Sequence, residues 1–246
     1  MTKSKLGEIT NMLRNNILDG TYIYGTCIPS ERELSEIYQI NRAAIRSAIE
    51  ILVNEGSLKK VQGKGNYVMK YNIDESNVKF RGMSNLLRMA GYEPSSRIVA
   101  TDIRRAGFKL SKIFHLDEDA TLFRIMRLRL GNELPISIEN TYVPFDLIPS
   151  IEKIDFQIYS LYDLFAINHI HIKDIKQKFS TSKTRNIESK LLNTEDGSPV
   201  VTIQIVSSTE TEQVVEATEV LVLPDLCKFY TDGVIQDGTM KIHAQE

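Results

Sequence analysis

Residues 29–65 constrain the fold more than any other stretch of the 246-residue chain. They read Pro-Ser-Glu-Arg-Glu-Leu-Ser, then Ile40-Asn41-Arg42-Ala43-Ala44-Ile45-Arg46, then Gly56-Ser-Leu-Lys-Lys-Val-Gln-Gly63-Lys64-Gly65. Ser30 and Glu33 have the spacing of a capping box, in which a hydroxyl and a carboxylate each satisfy a backbone N–H at a helix start. Pro29 keeps the residue before it extended and so sets where the helix begins. Leu34 and Ile37 then face a core, and Tyr38 to Ile40 make a turn. Asn41 caps a second helix whose apolar residues Ala44, Ile45, Ala48, Ile49 and Leu52 recur at intervals of three and four, leaving Arg42, Ala43, Arg46 and Ser47 on the opposite side. Gly56 closes that helix, and extended runs over Leu58 to Val61 and Asn66 to Met69 flank a Gln62-Gly63-Lys64-Gly65 turn. Upstream, Leu6, Ile9, Leu13 and Ile17 share one face of a helix predicted to pack beneath the other two. The pattern predicts a winged helix-turn-helix over residues 1–70.

Such a unit lays its second helix in the major groove with the N-terminal residues at base edges, where a bidentate arginine on guanine is the commonest specific contact. Arg42 and Arg46 occupy those places. Lys64 sits between Gly63 and Gly65, which let the backbone come close, and suits a phosphate or minor-groove contact. Ser30 and Arg32 stand where a helix N-terminus meets a phosphate. Taken singly, each has a plainer reading: an exposed arginine is usually a solvated charge, and a capping box marks any helix. Their joint order and spacing carries the expectation of double-stranded DNA as partner.

The whole-chain charge of −2 hides an uneven distribution. Residues 1–70 carry ten Lys and Arg against seven Asp and Glu, a balance of +3, and the remainder twenty against twenty-five, or −5. The basic character therefore falls on the segment expected to meet DNA, and at +3 it leaves much of the affinity to local placement and dimerisation. The chain is long enough for two ordinary domains, and its 42% hydrophobic and 25% charged residues are those of a soluble globular protein. Cys27 and Cys227 have no paired spacing, which fits a reducing cytoplasmic compartment, and no run of eighteen apolar residues is present to span a membrane. Lys70 to Lys79 reads as a polar linker, placed at 71–80, and 81–246 as a second domain.

Within that second domain a short helix is expected over Arg81 to Ala90, an extended run over Ser95 to Arg105, and a helix over Leu110 to Leu116. Long strands follow at Leu122 to Leu130 and Pro135 to Val143, joined near Gly131-Asn132. Helices are expected at Ser160 to Ala166 and Thr184 to Leu192, and extended runs at His169 to Ser180, Pro199 to Ser207 and Val214 to Leu223. Helices interspersed among hairpin-linked strands predict an α+β fold with a mainly antiparallel sheet. The most informative stretch is Arg127-Leu128-Arg129: strand alternation puts both arginines on one face with Phe123 and Ile125, and Met126, Leu128 and Leu130 on the other. Two guanidiniums among apolar residues need an anionic partner. Either a carboxylate such as Glu139 on the next strand pairs with them, or they line a pocket for a carboxylate or phosphate.

The PSERELS run, the Asn41-Arg42-x-x-x-Arg46 segment and Gly63-Lys64-Gly65-Asn-Tyr-Val resemble the N-terminal domain of GntR-family bacterial transcription regulators. That resemblance implies a homodimer on a palindromic operator. Asn41 stands where the family usually has Ser, Ala44 where it often has Thr, and Val61-Gln62 where it often has arginines, which implies altered phosphate contacts and a weaker wing. From Met83 to about Tyr230 the chain resembles the UTRA ligand-binding domain of the HutC subfamily. The matching residues are Ser84 with Gly91-x-x-Pro94, Arg127-Leu128-Arg129 with Pro135, Glu139 with Tyr142-Val143-Pro144, Ser160-Leu161-Tyr162, Gly197-x-Pro199 and Val215-Glu216. Members bind small effectors such as sugar phosphates, amino-acid derivatives or related acids. The resemblance implies that Ser84, Arg127, Arg129, Ser160 and Tyr162 surround an anionic group while Glu139 and Glu216 meet polar groups of the ligand. Where members taking phosphorylated amino sugars tend to have Tyr-Arg, this chain has Val222-Leu223, which implies a different ligand within that class. Tyr162 also reads as an ordinary half-buried aromatic, and Ser160 as the N-cap of its helix with Asp163 completing the box.

An enzyme reading lacks its groups. His169 and His171 share a face of the expected strand but no third ligand is spaced to hold a metal, and no nucleophile elbow, P-loop or dinucleotide fingerprint is present. No cofactor is expected. The UTRA fold resembles that of chorismate lyase, so lyase-type chemistry is the enzymatic alternative. A second alternative is a DNA-binding protein that ignores metabolites.

Overall fold

The computed structural model describes residues 3–69, 91–224, 231–236 and 239–244. The expected linker, the expected helix over Arg81 to Ala90, and Ser84 lie outside them.

The N-terminal unit follows the apolar pattern closely. Helix α1 (Lys3–Leu18) buries Ile9, Leu13 and Ile17 against α2 (Glu31–Tyr38) and α3 (Arg42–Asn54), which contributes Ala44, Ile45, Ala48, Ile49 and Leu52. The five buried residues of α3 are those whose spacing marks the inner face, so periodicity and burial agree. Both halves of the Ser30–Glu33 capping box form. The Asn41 side chain accepts from Ala44 N at 2.9 Å and caps α3. Gly56 takes φ of +77° just past α3, a backbone shape that favours glycine. Strands β1 (Leu58–Val61) and β2 (Gly65–Val68) pair antiparallel as the wing, and Cys27 bridges to Tyr67 on the free side of β2. The two wing glycines serve different ends. Gly63 supplies a positive φ with open space around it, whereas a Cβ on Gly65 would sit 2.6 Å from Cys27 Sγ.

The C-terminal unit is a six-stranded, wholly antiparallel sheet. Its strands are β3 (Pro94–Arg105), β4 (Thr121–Gly131), β5 (Leu134–Pro144), β6 (Ile172–Lys183), β7 (Pro199–Thr209) and β8 (Val214–Val222), in the order β3-β4-β5-β8-β7-β6. The β4–β5 connection is a two-residue turn at Asn132 and Glu133, both at positive φ (50° and 65°), a geometry whose twist suits a tight hairpin. Helices α4 (Gly107–Phe114) and α6 (Asn186–Leu192) cover one face, α4 against Leu122 and Ala217 and α6 against Leu128, Ile138 and Leu221. Short 3₁₀ turns at Phe145–Leu147 and Ile151–Lys153 and helix α5 (Leu161–Ile167) cover the other, around Phe123, Ile125 and Val143. A separate hairpin, β9 (Thr231–Gln236) with β10 (Thr239–Ala244), follows and was not expected from the sequence.

Boundaries move where local chemistry differs from the pattern. The run from His169 does not begin a strand: His169 has φ of +57° and ends the turn after α5, and β6 starts at Ile172. His169 and His171 therefore do not share a strand face, which removes the one histidine pair considered for metal. Among the described residues no cluster of three His, Cys, Asp or Glu could hold a metal ion, and no helix is long and apolar enough to cross a membrane. The expected Leu110 to Leu116 helix begins earlier, at Gly107, and ends at a left-handed His115.

Candidate functional site

The outer face of α3 carries Arg42 and Arg46 one helical turn apart, both exposed. Arg46 Nε and Nη2 donate to the Glu31 carboxylate, the closest contact at 2.7 Å, tying the start of α2 to α3 and holding the Glu31 carboxyl below its usual range. Arg32 pairs with Glu36 one turn along α2 at 3.0 Å, and Lys64 reaches Asp155 at 2.7 Å. Three of the cations expected at DNA are thus matched by carboxylates. The Arg32–Glu36 pair, exposed on both sides, is worth about 0–1 kcal/mol, so a phosphate can exchange for its carboxylate at little cost. Glu31 had a sequence signal, an acidic residue in the first turn of α2, but only the helix packing reveals its partner. The Asn41 amide oxygen, expected at DNA, also caps α3 by accepting from Ala44 N.

The second constellation lies on the sheet face under α5. Strand register sets Arg127 opposite Glu139 and Arg129 opposite Ser137, with Ile98 and Ser96 alongside on β3. Arg127 Nη2 and Arg129 Nη2 converge on one oxygen, Glu139 Oε2, at 3.0 and 2.8 Å, and Arg129 Nη1 donates to Ser96 Oγ at 2.6 Å. All three charged residues are nearly inaccessible. Burial alone would raise the Glu139 carboxyl, but the charges and hydrogen bonds of Arg129 and Arg127 overcome it and hold it below the usual carboxylate range. Burial pushes the Arg127 guanidinium down, as does its like-charged neighbour Arg129, and Glu139 and Glu216 oppose that. Among the described residues, Arg127 Nε and Ser137 Oγ are buried without a hydrogen-bond partner.

Glu216, further along the same face, is held by hydroxyls. Tyr162 and Ser207 donate to Oε2, each at 2.8 Å, and the Thr218 hydroxyl lies 2.6 Å from Oε1. Burial and the Glu216 charge raise the Tyr162 phenol well above its ordinary value, so it remains a donor. Of the expected effector residues the fold thus brings Arg127, Arg129 and Glu139 into one contact, and Tyr162 and Glu216 into another. The Ser160 hydroxyl accepts from Asp163 N at 3.0 Å in a complete capping box, the plainer of its two readings. Ser84 lies outside the described residues. Sequence reasoning did not single out Ser96, Ser137, Thr141, Ser207 or Thr218. Ser137 and Thr141 were reachable by alternation, since they flank Glu139 at two-residue intervals on β5.

The face continues into an apolar wall. Val220 is the register partner of Glu139 and Val222 of Ser137, and both pack with Ile203. Leu223, by contrast, packs with Leu128 and Ile138 on the opposite face.

Comparison with known proteins decides the family. The model described as UTRA domain matches residues 89–228, and that described as bacterial regulatory proteins, gntR family, matches residues 6–68. The chain belongs to the GntR family and carries a UTRA domain. Within that family it is 29% identical over 198 residues to the HTH-type transcriptional repressor NagR of Bacillus subtilis (strain 168), covering 80% of this chain and 81% of that one. It is 26% identical over 176 residues to the HTH-type transcriptional regulator GgaR of Escherichia coli (strain K12), covering 70% and 68%. The crystal structure of PhnF from Mycobacterium smegmatis superposes with a TM-score of 0.59 at 19% identity, covering 90% of this chain and 97% of that one, a likeness of fold. The chain is a DNA-binding transcription regulator of the GntR/HutC type.

Proposed function

We propose that this regulator is a repressor whose operator binding is controlled by a small anionic effector, a sugar phosphate or related acid, held at the Arg127–Arg129–Glu139 face. The observation that carries the reading is the shared carboxylate: two buried guanidiniums converge on a single Glu139 oxygen, and among the described residues Arg127 Nε has no hydrogen-bond partner. A phosphate or carboxylate placed there would satisfy donors that one carboxylate oxygen cannot, and arginine forks suit that geometry. Glu216 and its ring of hydroxyls offer acceptors and donors for the polar groups of the same ligand. Val220 and Val222 put an apolar wall beside the cations, so an effector with a non-polar flank is favoured over a uniformly hydroxylated one. In this reading Arg42 and Arg46 face base edges, Lys64, Arg32 and Ser30 face phosphates, and the operator is a palindrome read by a homodimer.

The experiment is a thermal-shift screen of the purified chain against sugar phosphates and small carboxylic acids, because a ligand that binds only the folded state raises the melting temperature. A hit is expected to weaken operator binding. Arg129→Ala is expected to keep operator binding and lose the response to that hit. An Arg129→Ala protein that still responds would move the effector site elsewhere.

A further inference from the structure

We infer that the wing is latched in a DNA-incompetent position by the segment 154–164 of the C-terminal unit, and that this segment links the effector face to DNA binding. The inference rests on the functional reading above and names its route. Lys64 stands at the wing tip, where a phosphate contact belongs, yet its ammonium is bracketed by Asp155 Oδ2 and Gln157 Oε1, each at 2.7 Å. A carboxylate seated on that lysine both occupies its donors and repels an approaching phosphate.

The rest of the wing is docked on the same segment. The Tyr159 hydroxyl donates to Val68 O at 2.5 Å, Tyr67 OH lies 3.5 Å from Asp155 Oδ2, and Tyr67 is buried in one apolar cluster with Ile154, Tyr159, Leu161 and Leu164. The fit is close enough that a Cβ on Gly25 would meet Leu164 Cδ2 at 3.3 Å and Ile154 Cγ2 at 3.4 Å. Three residues beyond Tyr159, on the first turn of α5, Tyr162 donates to Glu216 of the effector face. One short segment therefore touches the wing through Asp155, Gln157 and Tyr159, and the ligand-facing carboxylate through Tyr162. A ligand that competes for Glu216 acts on Tyr162, and a shift of Tyr162 is transmitted to the residues that hold Lys64. This path needs only that the segment have two positions.

The test uses the full chain and a duplex first selected from a random pool by the wild-type protein. Asp155→Asn keeps an oxygen for the Gln157 N–H that Asp155 now accepts, so the turn is retained while the charge is lost. Its affinity for the selected duplex is expected to rise about two- to fivefold per head, the range for releasing one partly exposed ion pair. The slope of log affinity against log salt is expected to steepen by about 0.9 for each wing lysine delivered to a phosphate. In a Lys64→Ala background the same Asp155→Asn change is expected to do nothing, with circular dichroism confirming that each variant is folded. Unchanged or weaker binding by Asp155→Asn, or an equal gain in both backgrounds, overturns the latch. Failure of the wild-type chain to select any duplex instead overturns the DNA-binding reading on which it rests.

Discussion

Arg42 and Arg46 differ less in position than in what holds them. Arg46 is committed to Glu31, whereas Arg42 sits exposed at the first position of α3, beside the cap. Arg42 is therefore expected to be the sharper base reader. Arg42→Ala should cost about 1–3 kcal/mol on the operator and relax base preference, measured by mobility shift on operator and scrambled duplexes. An equal loss on both duplexes would reduce it to a phosphate contact. The residue scale is also where the sequence was most ambiguous. The spacing of Arg127 and Arg129 put them on one face, but it could not choose between an internal carboxylate and an external anion. The structure contains the internal pairing, with Glu139 as partner. The hydrogen-bond deficit at Arg127 Nε among the described residues could not be foreseen, because donors are counted only once the strands are in register.

Helix starts are the elements whose chemistry was plainest in one dimension. Capping is local, involving residues three apart, so Ser30 with Glu33, Asn41, and Ser160 with Asp163 were all legible before any tertiary contact. Asn41→Ala removes the bond to Ala44 N and is expected to cost about 1 kcal/mol, lowering the melting temperature of the N-terminal unit by about 4–8 °C. Asn41→Ser, which restores an acceptor at the cap, is expected to recover most of it. Calorimetry of the three proteins distinguishes this from a direct DNA role, since a cap acts without DNA present. Strand starts were less legible. His169 carries a side chain that fits an extended run, yet the chain must reverse after α5 before entering β6, and the reversal is imposed by packing rather than by a glycine or proline.

At the scale of the whole molecule, a buried carboxylate clamped by two arginines couples stability to pH. The folded-state value of Glu139 lies below its unfolded value of about 4.3. Its contribution is therefore complete above that unfolded value and is lost as pH falls through the folded one. Urea unfolding of the C-terminal unit is expected to vary little between pH 6 and 8 on this account and to weaken below about pH 4. Glu139→Gln should flatten that acid fall. It should also cost about 3–5 kcal/mol at neutral pH by leaving two guanidiniums without their carboxylate. A variant as stable as wild type at pH 7 would show that the arginines find other partners. The same scale holds the latch, in which residues 91 positions apart, Lys64 and Asp155, meet across the two units.

Periodicity and capping determined, from the sequence alone, the three helices and wing of the N-terminal unit, the α+β character of the remainder, and the sharing of one sheet face by Arg127 and Arg129. These depend on neighbours within a few residues, which a linear reading contains. Tertiary structure alone decided that Glu139 serves both arginines, that hydroxyls from α5, β7 and β8 gather on Glu216, that Glu31 holds Arg46, and that Asp155 and Gln157 hold Lys64. Each of those pairings joins separate elements, and strand order and domain docking, not local spacing, set their distances.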